Sequence, residues 1–214
     1  GQMTFSMETL PFANGEVPNL NLTLHDDTGA VLRANLSSGD TESFSFMARE
    51  QSTYYLRVNW AAYPDGAPNG YTILSFDGHK YTLDFKAAGK PDSYQMNIQS
   101  PEAVTADKAG QTDIFVNVFN GSERSTVEMR LGTVGKWITM DRKVINDPGY
   151  AKLRESEESI KAKPWRALPN PKKCPHLWHA KLPNKPSVGV HTLHVRTTDM
   201  HGRTHTGNRV IRIK

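Results

Sequence analysis

The chain has 214 residues, a formal net charge of +4 and 37% hydrophobic residues, so it is long enough for one domain or two small ones with a real core. No run approaches the roughly 18 apolar residues of a membrane helix, and we expect no membrane span. The first residues show no basic segment followed by an apolar run, so no signal peptide is expected. The single cysteine, Cys174, excludes an intrachain disulfide framework.

Charge divides the chain near residue 100. Residues 1–100 carry a net charge of −5 and residues 101–214 a net charge of +9. We therefore predict two modules with these boundaries. The basic excess lies between Lys161 and Lys185, where a solvated proline-rich loop is favoured over a nucleic-acid interface because the aromatic spacing of a stacking platform is missing.

Apolar residues alternate with polar ones through the first module, which predicts short antiparallel strands. The clearest element is a hairpin in which Tyr71–Phe76 and His79–Phe85 flank Asp77-Gly78, a dipeptide suited to a type I′ turn. That turn would pair Phe76 with His79. The other predicted strands are centred on Leu20 to Leu24, Val31 and Leu32, Phe44 to Phe46, and Tyr54 to Val58.

The second module begins with a strand around Val116, followed by Asn120-Gly121, which predicts a second hairpin with a return strand around Met129. One helix is expected near residues 148–161, capped by Asp147 and with Pro148 in its first turn. Its apolar stripe would be Tyr150, Leu153 and Ile160, and the closing strands would be Val190–Thr197 and Thr204–Ile213.

These elements predict a mostly β fold. Residues 1–100 are expected to form an antiparallel sheet or small sandwich, and residues 101–214 an immunoglobulin-like β-sandwich with one inserted helix. Strands do not alternate with helices, so a doubly wound nucleotide-binding sheet is disfavoured.

Six of the eight histidines fall in the last forty residues, but their spacing disfavours a metal site. His176 and His179 are three residues apart, as are His191 and His194, and in a regular strand this spacing points two side chains to opposite faces. Cys174 beside His176 resembles a nucleophile and its base, yet we interpret it as an incidental thiol in a proline-rich loop. We expect no catalytic, metal-binding or cofactor-binding residue in the chain.

The tryptophans leave two interpretations open. In the first interpretation their rings stack on sugars, and the chain is a carbohydrate- or cell-envelope-binding module. Large rings more often fill β cores, which is the structural interpretation. The residues concerned are Trp60, Trp137, Trp165 and Trp178.

An ordered series of motifs carries a family resemblance over residues 64–214. It runs from Pro64-Asp65-Gly66 through Val116-Asn117-Val118 and Asp147-Pro148-Gly149-Tyr150 to His176-Leu177-Trp178 and the segment from Val195 to Arg203. The series resembles the C-terminal domain found behind the catalytic domain of bacterial calcineurin-like metallophosphoesterases. Residues 1–60 match it least well.

The resemblance implies a non-catalytic accessory region. Calcineurin-like catalytic domains bind two divalent metals through DxH, GDxxD, GNH(D/E) and GHxH motifs. Here Asp77-Gly78-His79 fits DxH by letter alone, Gly39 to Ser43 lacks the final Asp of GDxxD, and the other two motifs do not occur. The partner implied is therefore an upstream catalytic domain of the same polypeptide, and the location implied is the bacterial cell envelope or periplasm.

Five residues within these motifs are candidates for an interaction surface. Trp178 would either enter the core of the second sandwich or line a docking surface for the catalytic domain. Asp199 would pair within its turn with Arg196 or Arg203. His176 completes the set.

Overall fold

The computed structural model describes residues 2–8, 21–25, 28, 31–35, 41–47, 53–59, 64–77, 80–162 and 167–214, with side chains for residues 28, 64–75, 80–162 and 167–214. The chain forms two compact units. Unit 1 comprises Gly1–Ala61 and Asn69–Lys90, and unit 2 comprises Ala62–Pro68 and Pro91–Lys214. The predicted domain boundary at residue 100 stays a prediction.

The described part of unit 1 is antiparallel β structure. Its strands are β1 (Gln2–Glu8), β2 (Asn21–His25), β3 (Val31–Asn35), β4 (Thr41–Met47), β5 (Thr53–Asn59), β6 (Gly70–Asp77) and β7 (Lys80–Ala87). One sheet has the order β3-β2-β5-β6-β7, and β1 pairs with β4. Strands β2 to β7 lie where the period-2 alternation of apolar and polar residues predicts strands, whereas β1 was not predicted.

The predicted β6–β7 hairpin forms, but its predicted register is wrong. Asp77 pairs with Lys80 and Phe76 with Tyr81, instead of Phe76 with His79. Gly78 and His79 lie between the paired ends, outside the described residues. A shift of two residues leaves every side chain on the face it would otherwise occupy, so the hydrophobic pattern does not distinguish the two registers.

In the described ranges, unit 2 contains one α-helix, a short 3-10 helix at Ala109–Gln111 and nine strands. The strands are β8 (Met96–Gln99), β9 (Ala103–Val104), β10 (Asp113–Val118), β11 (Thr126–Leu131), β12 (Ile138–Thr139), β13 (Asp141–Asn146), β14 (Lys173–Lys181), β15 (Gly189–Thr198) and β16 (Thr204–Ile213). Helix α1 spans Pro148–Glu158.

The sheet orders of unit 2 are those of an immunoglobulin-like sandwich. One sheet has the order β13-β14-β10-β8 and the other the order β12-β11-β15-β16-β9. With β8, β10, β11, β13, β14, β15 and β16 taken as strands A to G, the sheets are A-B-E-D and C-F-G, as in constant-type domains. The predicted mostly β fold class, with a sandwich and one inserted helix, is confirmed.

Inward-facing residues of both sheets of unit 2 form one core. Trp178 on β14 is its largest member, at 2% exposure, and enters the core as the structural interpretation predicts. The other core residues include Ile114, Val116, Val127, Met129, Leu193, Val195, Ile211 and Ile213.

The second predicted hairpin is wrong. β10 and β11 lie in different sheets, so the turn at Asn120-Gly121 carries the chain across the sandwich instead of pairing its flanks. A Cβ atom on Gly121 would lie 2.5 Å from Cη2 of Trp178. The glycine therefore leaves room for the core tryptophan.

Helix α1 is shorter than predicted but has the predicted cap. Asp147 Oδ1 accepts a hydrogen bond from the Tyr150 amide at 2.8 Å, and Pro148 is the first helical residue. The predicted apolar stripe is wrong, because Leu153 is exposed and Ile160 lies beyond the helix. No helix in the described ranges is long and apolar enough to cross a membrane.

Candidate functional site

Strand β14 contains a bulge that determines where His176 points. Its pairing with β13 passes from Lys143–Leu177 to Ile145–Cys174, so three steps along β14 match two along β13. The additional residue breaks the alternation of side chains, as bulges do. Residues 173–181 are thus a strand, and the expectation of a loop around Pro175 and Cys174 is wrong. Proline is tolerated here because bulges leave ladder positions unpaired.

Asn117 on β10 is the centre of a set of buried polar contacts. It is 0% exposed although it is an amide among apolar residues. Its Nδ2 donates to the Asp65 carbonyl oxygen at 3.0 Å and to Asp147 Oδ2 at 2.9 Å. Its Oδ1 lies 2.8 Å from His176 Nδ1. Every polar atom of this side chain is therefore satisfied, as burial demands.

His176 connects this centre to the segment Ala62–Pro68. Its Nε2 lies 3.2 Å from Asp65 Oδ2, which makes an ion pair when the ring is protonated. Asp65 Oδ1 accepts from the Ala67 amide at 3.0 Å, and the Lys172 amide donates to the Pro64 carbonyl at 3.0 Å. The segment is thus attached to unit 2 through both side-chain and backbone bonds.

Asp147 joins helix α1 to the same contacts. Besides capping the helix with Oδ1, it accepts from Gln99 Nε2 at 2.7 Å through Oδ2. Gln99 Oε1 in turn accepts from the Gly149 amide at 2.8 Å. We call the five residues Asp65, Gln99, Asn117, Asp147 and His176 the buried polar network.

Gly66 packs directly against this network. Its φ is +86°, and a Cβ atom at this position would lie 2.7 Å from Asp147 Cβ and 2.7 Å from Asp147 Oδ2. Only glycine combines that backbone conformation with so close an approach. Gly66, next to Asp65, therefore allows the segment to pack directly against the Asp147 carboxylate, which caps α1.

The network explains motifs that appear unrelated along the sequence. The segments Pro64-Asp65-Gly66, Val116-Asn117-Val118, Asp147-Pro148-Gly149 and His176-Leu177-Trp178 each contribute one of its polar side chains. Sequence reasoning missed this convergence. The available signal was Asn117 itself, a polar residue within the apolar run from Ile114 to Phe119.

Cys174 is unsuited to nucleophilic chemistry. Its side chain is fully buried, and its Sγ lies 3.4 Å from His176 Nδ1. Burial, together with the carboxylates of Asp65 and Asp147, raises the pKa of the Cys174 thiol to about 12. The thiol therefore stays protonated near neutral pH, and this position is structural.

We expect Cys174 to resist alkylation in the folded chain. With a pKa of about 12, the thiolate fraction at pH 8 is about a thousandfold below that of a free cysteine. Iodoacetamide labelling followed by mass spectrometry should give slow modification without urea and complete modification in it. Rapid stoichiometric labelling of the folded protein would contradict this assignment.

Asp65 is held in its charged form. Burial alone would raise the pKa of Asp65, but the hydrogen bond and charge of His176 and the Ala67 amide outweigh it and lower the pKa below its ordinary value. A lowered carboxyl pKa stabilises the fold above the ordinary value, and this stabilisation is lost as the pH falls through the folded-state value.

Asp65→Asn is therefore expected to flatten the acid side of the stability profile. The free energy of unfolding of wild type should exceed that of the variant most at pH 6, with the difference shrinking towards pH 2.5. Urea unfolding at a series of pH values measures it. Asp141→Asn, at a carboxylate that is 79% exposed, serves as control. Parallel profiles for wild type and Asp65→Asn would contradict the prediction.

The structure shows where the five candidates for an interaction surface lie, and their role in an interaction stays a prediction. Trp178 and His176 are buried inside unit 2. Arg196 Nε donates to Glu128 Oε2 at 2.8 Å, and its guanidinium lies 4.3 Å from the centre of the Trp137 ring. For Arg196, Asp199 and Arg203, as for the two buried residues, contact with a partner stays a prediction.

Asp199 organises the turn between β15 and β16. Its Oδ1 accepts from the amides of His201 and Arg203 at 2.8 and 2.9 Å, and its Oδ2 accepts from Arg203 Nε at 2.8 Å. Of the two partners proposed from sequence, the structure therefore shows Arg203. Burial opposes ionisation, but these donors lower the pKa of Asp199.

No group of three or more His, Cys, Asp or Glu side chains within the described part of the chain could hold a metal ion. Asp77-Gly78-His79 matches DxH by letter, and the side chains of Asp77 and His79 lie outside that part. Trp60 and Trp165 lie outside it as well. The guanidinium of Arg130 is 4.7 Å from the Trp137 ring centre, so two arginines lie over this ring.

Unit 2 is thus an immunoglobulin-like scaffold whose motif residues are used internally. A family model described as the C terminal of calcineurin-like phosphoesterase matches residues 58–205. The chain belongs to this family, and the resemblance drawn from the motifs is confirmed. The chain is accordingly a C-terminal domain of the phosphoesterase family and not its catalytic domain.

Solved structures and curated proteins give no further evidence of function. The major pilin subunit of Bacillus cereus is similar over 100% of this chain and 69% of that chain, with 10% identity and a TM-score of 0.26. A similarity this low bears on neither fold nor function. No curated protein matches the sequence.

Proposed function

We propose that this chain is the non-catalytic accessory region of a calcineurin-like phosphoesterase, and that it packs on or orients the catalytic domain of the same polypeptide. The hydrolysis and the two divalent metals belong, in this proposal, to that catalytic domain. The chain itself contributes a rigid β scaffold.

The observation that carries the proposal is the closure of the buried polar network. Carboxylates, amides and an imidazole that would be candidates for chemistry instead satisfy one another inside unit 2, with Asn117 and Asp147 at 0% and 1% exposure. Catalytic groups must reach a substrate, whereas these groups join a helix cap, a strand and a loop. This use of motif residues supports a structural role.

Deleting this region from the parent phosphoesterase tests the proposal. We expect the remaining catalytic domain to lose several-fold in kcat/KM or to unfold at lower temperature, and the purified chain added in trans to restore part of the loss. Hydrolysis of bis(p-nitrophenyl) phosphate with Mn²⁺ is the readout, because it needs no knowledge of the natural substrate.

The matched control adds the Asn117→Ala chain in trans, which should restore less than the wild-type chain. Two results would contradict the proposal. One is robust Mn²⁺-dependent hydrolysis by the purified chain alone, and the other is a catalytic domain whose kinetics and unfolding temperature are indifferent to the deletion.

Carbohydrate or cell-envelope binding stays a prediction. A glycan array probed with the chain and with a Trp137→Ala variant tests it, since the Trp137 ring is the partly exposed tryptophan of the described residues. Hits that disappear in the variant would favour that alternative.

A further inference from the structure

His176 has an acceptor oxygen at each ring nitrogen. Asn117 Oδ1 lies 2.8 Å from Nδ1, and Asp65 Oδ2 lies 3.2 Å from Nε2. The amide orientation of Asn117 follows from its Nδ2, which has two acceptors of its own, namely Asp65 O and Asp147 Oδ2. A neutral imidazole carries only one N–H, so only the imidazolium satisfies both contacts.

The surrounding charges favour the same form. The network contains the carboxylates of Asp65 and Asp147, and buried carboxylates are costly without a cationic or hydrogen-bonding partner. Arg142 on β13 donates its Nε to the Pro175 carbonyl, and the ion-pair partner that the structure gives Asp65 is His176, if the ring is protonated. The titratable groups in contact with the ring are Asp65 of the segment and Cys174 on β14, and these two interact electrostatically with Asp147 and Tyr150 at the start of α1 and with Arg142 on β13.

We propose that His176 is a pH-sensitive latch, which holds residues 64–67 on unit 2 as the imidazolium and releases them when the ring loses a proton. A neutral ring keeps one N–H, and the shorter contact, from Nδ1 to Asn117 Oδ1 at 2.8 Å, retains it, so the Nε2 lone pair would face Asp65 Oδ2 at 3.2 Å and this contact becomes repulsive. The segment belongs to unit 2 although the residues on both sides of it belong to unit 1.

The direction of the pH dependence follows from the charges of Asp65 and His176. It is closed where Asp65 is ionised and His176 is protonated, and it opens as the pH rises through the loss of the ring proton. Two backbone amides donate hydrogen bonds to residues of the segment that contains Asp65: the Ala67 amide donates to Asp65 Oδ1, and the Lys172 amide donates to the Pro64 carbonyl oxygen. The Ala67 bond lies within the segment, whereas the Lys172 bond joins the segment to the rest of unit 2, so exchange at the Lys172 amide reports the state of the latch.

The experiment uses the uniformly ¹⁵N-labelled 214-residue chain between pH 5 and pH 9. Long-range ¹H–¹⁵N correlation of the ring gives the protonation of both His176 nitrogens, and hydrogen exchange gives the protection factor of Lys172. We expect both ring nitrogens to be protonated in the closed form. When the ring loses its proton, the protection factor of Lys172 should fall about tenfold with the same midpoint.

Two variants separate the latch from general pH effects. Asp65→Asn should leave Lys172 weakly protected at every pH, because the ion pair that holds the segment is gone. His179→Gln is the matched control: His179 lies on the same strand and its Nε2 is 2.8 Å from the Asp113 carboxylate at the surface. That variant should reproduce the wild-type profile of Lys172.

Either of two results would overturn the proposal. In the first, the ring carries a single proton throughout the pH range while Lys172 stays protected. In the second, the ring loses its proton with no change in the protection of Lys172.

Discussion

Replacing Asn117 by alanine is expected to destabilise unit 2 by about 3 kcal/mol or more. The change removes three hydrogen bonds and leaves Asp65 O and His176 Nδ1 without their amide partner in a site that is 0% exposed. Each buried polar group left unsatisfied costs about 1–3 kcal/mol. Hydrogen exchange of the β10 and β14 core amides measures this loss for unit 2 specifically.

Asn97→Ala is the matched control. Asn97 pairs with Asn117 across β8 and β10 but is only partly buried. Substitutions of this kind away from a network change stability by about 0.5 kcal/mol or less. Equal losses in the two variants would mean that the network does not stabilise the sandwich.

Gly66→Ala is expected to be the second most damaging change, at about 3 kcal/mol. A positive φ costs an L-residue about 1–2 kcal/mol. The remainder comes from the new methyl group, which would overlap Asp147 and displace the carboxylate that caps α1. Urea unfolding and the exchange of the Tyr150 amide, which bonds to Asp147 Oδ1, report the two effects.

Gly202→Ala separates conformation from crowding. Gly202 has a φ of +81° in the same unit, and nothing lies within 4 Å of the position that a Cβ atom would take there. We expect this variant to lose only the conformational part, about 1–2 kcal/mol. If both variants lost the same amount and kept Tyr150 protected, the contact between Gly66 and Asp147 would be unimportant.

Local chemistry was enough to predict most elements of the fold. The cap at Asp147 and the closing strands follow from residues adjacent in the sequence, and the structure has them close to where they were expected. Pairing was harder to predict. Asn120-Gly121 suits a turn whether the strands on its two sides pair with each other or lie in different sheets. The β6–β7 register can shift by two residues without moving any side chain to the other face of the sheet.

The network was beyond sequence reasoning for a different reason. His176 reaches Asn117 because β14 carries a bulge, and periodicity assumes that there is none. Asp65 is 111 residues from its partner His176, and no local rule connects positions so far apart. The motif series brought the correct residues together as a family resemblance but gave no indication of their contacts.

The family model ends at residue 205, whereas the final strand continues to Ile213. That strand is internal to its sheet, with β15 on one side and β9 on the other, and it buries Ile211 and Ile213. A fragment trimmed to the matched range would therefore expose two unpaired sheet edges and open the hydrophobic interior. Anyone expressing this region should choose its limits from the strand pairing, since a shorter fragment invites aggregation.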